Sequence, residues 1–396
     1  MPDILKISAV FIFILILLRR KLNIGYVMLM ASGLLVFLYM MPPQAIFSTV
    51  KNAFIDRVTI KLALALTMIK SFELILREKD VLSDMMKASK ALLLKKKAVI
   101  VSMPVLIGLL PSIGGAYFSA PMVDESTKGM KMSQEEKAFI NYWFRHPWEY
   151  ILPLYPGILL AAAVSGMELR DLIIANTAYA FFIVITGLIF GMRNVSGAFP
   201  VAEGVSKKGL LSFIPIALVL LLVVIFHLEL HYALLLVIIA LFIFYRFNAR
   251  GIIRVLKHGL SMDVIVLIIG IMLFKETMEA SGAVKNLSGF LTSKGIPFTP
   301  ILFLLPFATG LLTGITVGFV GSTFPLIMSI AGEPSIGVIS FAFASGFFGV
   351  LLSPVHICLV LTREYFKADM WGVYKKIIPA GSIVFLVAVV EYLILR

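Results

Sequence analysis

The sequence predicts an all-α integral membrane protein with about ten transmembrane helices and two re-entrant hairpins, arranged as two inverted-topology repeats. Three observations predict it. Of the 396 residues, 60% are hydrophobic and 14% charged, and mean hydropathy is +1.01. A soluble domain cannot hide that much apolar surface, so lipid has to be the solvent. Apolar runs of membrane-crossing length recur along the chain with short loops between them. Two further apolar segments are interrupted midway by glycine and proline, which free backbone groups that lipid cannot satisfy.

Taken in order, ordinary spans fall at 4–18, 24–41, 58–76, 148–165, 172–191, 210–227, 231–246, 263–280, 336–361 and 377–395. The first run is short enough for a signal sequence. However, Arg19, Arg20 and Lys21 follow it instead of preceding it, and it reads as a retained span. Residues 98–123 are broken by Gly108-Leu-Leu-Pro-Ser-Ile-Gly-Gly115, and residues 298–330 by Gly310-Leu-Leu-Thr-Gly-Ile-Thr-Val-Gly318. Each reads as a hairpin that returns to its own side of the membrane.

Charge supports that topology. With both termini outside and both hairpins returning, the cytoplasmic loops collect 25 of the 35 basic residues and the outer loops 8, with Lys70 and Lys275 left inside spans. The net charge of +13 is therefore a signature of orientation and not of nucleic-acid binding. Val50-Lys51 and Leu256-Lys257 each open a long apolar span holding one lysine, and a Gly-Leu-Leu hairpin follows in both halves. Arg145-His-Pro147-Trp-Glu149-Tyr then parallels Leu352-Ser353-Pro354-Val-His356-Ile. Residues 1–206 form repeat 1, with the cytoplasmic-side hairpin, and 207–396 repeat 2, with the outer-side hairpin. Five spans per half, an odd number, invert the second half, as in alternating-access carriers.

Small and hydroxyl residues at the interrupted segments are the first candidates for a substrate or ion site: Ser112, Gly114, Gly115, Ser119, Thr313, Thr316, Gly318, Ser322 and Thr323. Half-helix N-termini there attract an anion, and freed carbonyls can coordinate a cation such as Na+ near Ser112 and Ser322. Pro147, Ser353 and Pro354 mark the two helix breaks. Glu149 and His356, at matched places just beyond them, are the coupling-proton candidates, because a carboxyl and an imidazole can exchange a proton at membrane depth. The structural alternative pairs Glu149 with Arg145 one turn away. Lys70 with Glu73 and Lys275 with Glu279 read as neutralising neighbours, and His227-Leu-Glu229-Leu-His231 as a solvated turn. Cys358 is the sole cysteine, which rules out an intrachain disulfide. The sequence carries no nucleophile or metalloenzyme motif, and Ser345 and His356, on one helix, lie about 16 Å apart. Enzyme activity and bound cofactors are not expected.

At Leu110-Pro-Ser-Ile-Gly-Gly-Ala-Tyr-Phe-Ser-Ala-Pro121, at Gly318-Phe-Val-Gly-Ser-Thr-Phe-Pro325 and at the two proline-centred breaks, the chain resembles the ion transporter superfamily. That superfamily includes the divalent anion/sodium symporters, citrate carriers and gluconate permeases, and the likeness is to one of its prokaryotic branches. The resemblance implies an elevator-type carrier of the cell membrane, a homodimer, with a solute site between hairpin tips and broken helices. In the symporter branch each tip carries Ser-Asn-Thr. Here Ser112-Ile113-Gly114 and Gly321-Ser322-Thr323 stand there without the asparagine, leaving Na+ against H+ coupling open. The function expected is secondary active transport of a small organic anion, coupled to H+ or Na+, with a cation/proton antiporter as the alternative.

Overall fold

Helix ends are written into the sequence by local chemistry. The Asn23 side chain accepts from the Gly25 amide at 2.9 Å, Asp56 from Val58 at 3.0 Å, and Ser133 and Glu136 close a reciprocal capping box. The computed structural model describes residues 3–93, 95–111, 115–193, 195–198, 207–283, 297–331 and 335–395. Among these the chain is helical, with no β-strand and one isolated bridge, Lys95 to Ala198.

Five helical runs are long and apolar enough to cross a membrane: Gln134–Ser165, Leu169–Gly191, Ala249–Ala280, Ile336–Phe366 and Met370–Leu395. Ile24–Tyr39, Gly209–Ile225, Leu230–Phe244, Phe298–Thr313 and Thr316–Ala331 are shorter and equally apolar. The last two form the second interrupted segment, and Lys96–Gly108 with Gly115–Ser126 forms the first. In each case the two arms pack on one another. An arm of 13 or 16 residues is about 20–24 Å long, short of the roughly 30 Å hydrocarbon core.

Two groups of helices are evident from who touches whom. Asp3–Arg19, Ile24–Tyr39, Pro43–Ile55 and Arg57–Glu78 pack with Leu230–Phe244, Ala249–Gly259 and Met262–Ala280. The hairpins pack with the runs Gln134–Ser165 and Ile336–Phe366, which pack in turn with Leu169–Gly191 and Met370–Leu395, and the second hairpin also touches Asp3–Arg19, Ile24–Tyr39 and Met262–Ala280. Backbones approach closely at glycine in both groups. A Cβ on Gly25 would strike the Val266 carbonyl, and one on Gly310 the Gly346 carbonyl. Such contacts replace the hydrophobic drive that lipid removes.

The anticipated Lys275–Glu279 pair forms at 3.7 Å, and Glu276 is equally near. Lys70 instead donates to Ser261 at 2.9 Å. Only the start of the anticipated solvated turn is a loop: Glu229 pairs with Lys61 at 2.8 Å, whereas Leu230 and His231 open the next helix and are buried there. The Ser345 hydroxyl donates to the Phe341 carbonyl of its own helix at 2.7 Å.

Candidate functional site

Proline breaks both long runs. Gln134–Ser165 is interrupted between Trp143 and Pro147 and again between Ile151 and Pro156. Ile336–Phe366 is interrupted between Leu352 and Ile357, where Pro354 has no amide to continue the ladder. The second hairpin turns at Gly314, whose φ of +66° is open to glycine at little cost.

These three irregular stretches converge. The tip of the second hairpin is held from both sides: Thr316 donates a short hydrogen bond to the Glu149 carboxylate and sits against Gly157, while Gly314 lies against Ser353 and His356. Residues 167 positions apart are thereby joined. Across the same cluster His146 and His356, 210 residues apart, bring their Nε2 atoms to 3.3 Å. His146 Nδ1 is 2.6 Å from the Tyr142 carbonyl and must be its donor, so His146 Nε2 accepts from His356 Nε2. That leaves His356 Nδ1 an open acceptor, buried and without a partner.

The first hairpin is fixed to the same run. Tyr155 donates to the Gly108 carbonyl at 2.5 Å, Trp148 to Val105 at 2.7 Å, and Asn141 to Ala116 at 3.0 Å and Thr362 at 2.8 Å. Ser112 and Gly114, anticipated at its tip, lie outside the described residues.

The other anticipated hydroxyls are committed to their own helices. Ser119 donates to Gly115 and Ala116, Thr313 to Thr309, Ser322 to Gly318 and Thr323 to Phe319. Ser322 and Thr323 stand buried within Thr316–Ala331 and not at the turn, because the chain reverses earlier, at Gly314. Gly115 and Gly318 belong to the first turns of the returning arms, and Pro147 opens the short helix that carries Glu149. Pro354 is exposed, whereas Ser353 and His356 on either side are buried. Of the hydroxyl candidates among the described residues, Thr316 is the one that bonds into the cluster.

Arg145 does not pair with Glu149. The i,i+4 rule holds along a continuous helix, and this backbone breaks at residues 144–146, so the spacing that would set the two charges one above the other is lost. Arg145 is 4% exposed and two of its guanidinium nitrogens, Nε and Nη1, have no hydrogen-bond partner among the described residues. Its field falls on Glu149, His146, His356, Tyr155 and Cys358.

Sequence reasoning did not place Arg145, His146, Tyr155 or Cys358 in the site: Arg145 entered it only as a partner for Glu149, and Cys358 only as the sole cysteine. The signal was present in Arg145-His146 immediately before a helix-breaking proline, two polar side chains in the middle of an apolar run. The nitrogens of His146 and His356 and the Cys358 sulfur lie within 4.8 Å of one another, a donor set suited to a soft divalent metal. The permanently charged guanidinium beside them opposes a cation and favours an anion. A separate cavity of about 360 Å³ opens between the two helix groups, lined by Lys70, Glu73, Arg77 and His258 on one side and Pro111 and Pro156 on the other.

Long apolar helices, paired short arms and ionisable side chains buried at helix breaks are the marks of an all-α membrane protein. The chain belongs to the DUF401 family, since the family model described as "Protein of unknown function (DUF401)" matches residues 4–395. No curated protein matches it.

Proposed function

We propose that this protein is a secondary active transporter that carries a small organic anion across the cell membrane, coupled to H+ or Na+, by an elevator-type alternating-access mechanism. The observation that carries the reading is the meeting of a hairpin tip with two broken helices at one buried cluster: Arg145, His146, Glu149, Thr316 and His356. Irregular backbone and ionisable groups at membrane depth are costly unless they serve a solute or ion path.

Element order supports the two-repeat architecture. Helices beginning at Ile24, Pro43, Arg57, Gly115, Pro156 and Leu169 have counterparts beginning at Leu230, Ala249, Met262, Thr316, Ile357 and Met370. The shift runs from 230 − 24 = 206 to 370 − 169 = 201 residues. The matched helices Pro156–Ser165 and Ile357–Phe366 are both 10 residues long and both end on a left-handed residue, Gly166 and Lys367. In this register the counterpart of His356 is Tyr155 (356 − 201 = 155). Sequence spacing alone sets Pro147 opposite Pro354 and Glu149 opposite His356; the break at residues 152–155 shifts that register.

The first helix group is the fixed scaffold in this reading, and the hairpins with the broken runs are the moving unit. Glu149, and the open lone pair on His356, are where a coupling proton would rest. A homodimer is proposed on the same grounds.

Liposome-reconstituted protein tests the proposal. A pH or sodium gradient should drive uptake of an organic anion, and anion supply should drive proton or sodium entry. Cation exchange that no organic solute alters would instead establish the antiporter reading, in which Glu149 alone carries the exchanged ion. If Glu149→Gln and His356→Ala both leave coupled uptake intact, the site is elsewhere.

A further inference from the structure

Arg145 presents an unmet chemical demand. Its guanidinium is nine-tenths buried or more, two of its nitrogens have no partner, and among the described residues it forms no ion pair. The acid nearest in sequence, Glu149, spends its carboxylate on Thr316 and faces His146 at 3.8 Å. Arginine stays charged at any attainable pH, so it cannot relieve burial by releasing a proton as lysine can. His356 Nδ1 is an open acceptor in the same cluster but carries no negative charge to neutralise it. The Cys358 thiol, which Arg145 also meets, is only a weak acceptor, so none of the described neighbours supplies the negative charge that would complete the group.

We infer that Arg145 is the fixed countercharge of the solute site and holds the oxyanion group of a small solute by charge-assisted hydrogen bonds. The planar guanidinium matches a carboxylate or a phosphate-type oxyanion. The inference rests on the carrier reading and names what that carrier binds. Cys358, the sole cysteine, lies in the same cluster, so the native chain contains its own reporter of occupancy.

The experiment uses full-length protein in lipid nanodiscs, with lactate, succinate, citrate, gluconate, inorganic phosphate and sulfate as probes at fixed sodium and pH. Thermal unfolding and the rate of Cys358 alkylation are read in parallel. At least one probe should raise the unfolding temperature and slow alkylation, and whether organic carboxylates or inorganic oxyanions do so separates the two sources. Arg145→Gln should weaken that response at least about thirtyfold, the loss expected when one partner of a buried charge pair is removed. Arg145→Lys, which keeps the charge without the planar fork, should show an intermediate loss. If Arg145→Gln does not fold, Arg145→Lys and the wild-type alkylation rates decide the matter. An anion response that is equally strong in the variants overturns the role of Arg145 and leaves the carrier reading standing. A response to sodium or pH alone, with every anion silent, overturns this inference and the organic-anion reading together.

Discussion

Thr316→Val isolates the bond that latches the second hairpin. Valine keeps the methyl that packs on Gly157 and deletes only the hydroxyl that donates to Glu149. The loss leaves a buried carboxylate oxygen without its donor, which costs about 1.5–3 kcal/mol. At 1.4 kcal/mol per factor of ten, the open tip becomes roughly 10- to 100-fold more populated. The unfolding temperature should fall by roughly 2–5 °C for a chain of this size. Alkylation of a cysteine introduced at Ser353, which is buried against Gly314 at the tip, in a Cys358→Ala background, should accelerate by a similar factor to the tip population. A double-mutant cycle with Glu149→Gln should return a coupling of about 1–3 kcal/mol, because the two side chains share one bond. Independent, additive effects of the two substitutions, or a Thr316→Val protein matching the parent in stability and labelling, would refute the latch.

Other perturbations follow from the same geometry. Gly349→Ala puts a Cβ onto the Phe307 carbonyl and the Leu311 amide, backbone atoms that cannot step aside, and should lower stability by about 1–3 kcal/mol in thermal unfolding. Asn176→Leu removes the group that donates to the Tyr150 carbonyl at 3.1 Å and accepts from Ser340 at 2.8 Å, and should cost about 2–3 kcal/mol by the same measurement. Lys61→Ala breaks an ion pair whose side chains are 50% and 45% exposed, so the change should stay within about 1 kcal/mol and shrink further in high salt. An impermeant thiol reagent applied to whole cells should label cysteines placed at Lys51 and Arg170 but not those at Lys87 and Lys131, in the Cys358→Ala background. The reverse pattern would invert the proposed topology.

Much of the fold was legible because it depends on solvent and on local chemistry. Hydropathy located the long helices, and Gly108 to Gly115 and Gly310 to Gly318 located the paired arms, since glycine and proline interrupt a helix wherever they occur in it. The candidate site was legible only in outline. Glu149 and His356 stood out as ionisable groups beside prolines, and both belong to the buried cluster. Ser119, Ser322 and Thr323 had the right chemistry in the right segments, yet their hydroxyls bond back to their own helices. Composition does not say which way a hydroxyl turns.

The sequence by itself determined that the chain is built of apolar helices suited to lipid and where most of them run, but not the break at residues 152–155 inside the span read at 148–165. Those properties follow from transfer free energies and backbone donors counted residue by residue. Only the tertiary structure decided that Glu149 answers to Thr316 and not to Arg145, that His146 meets His356, and that Lys70 bonds to Ser261. These contacts link segments far apart in the chain, and a helix break cancels the spacing rules that would have predicted the local alternatives. The two guanidinium nitrogens of Arg145 that lack a partner among the described residues emerge at that level alone, because a donor can be seen to lack an acceptor only once its neighbours are placed around it.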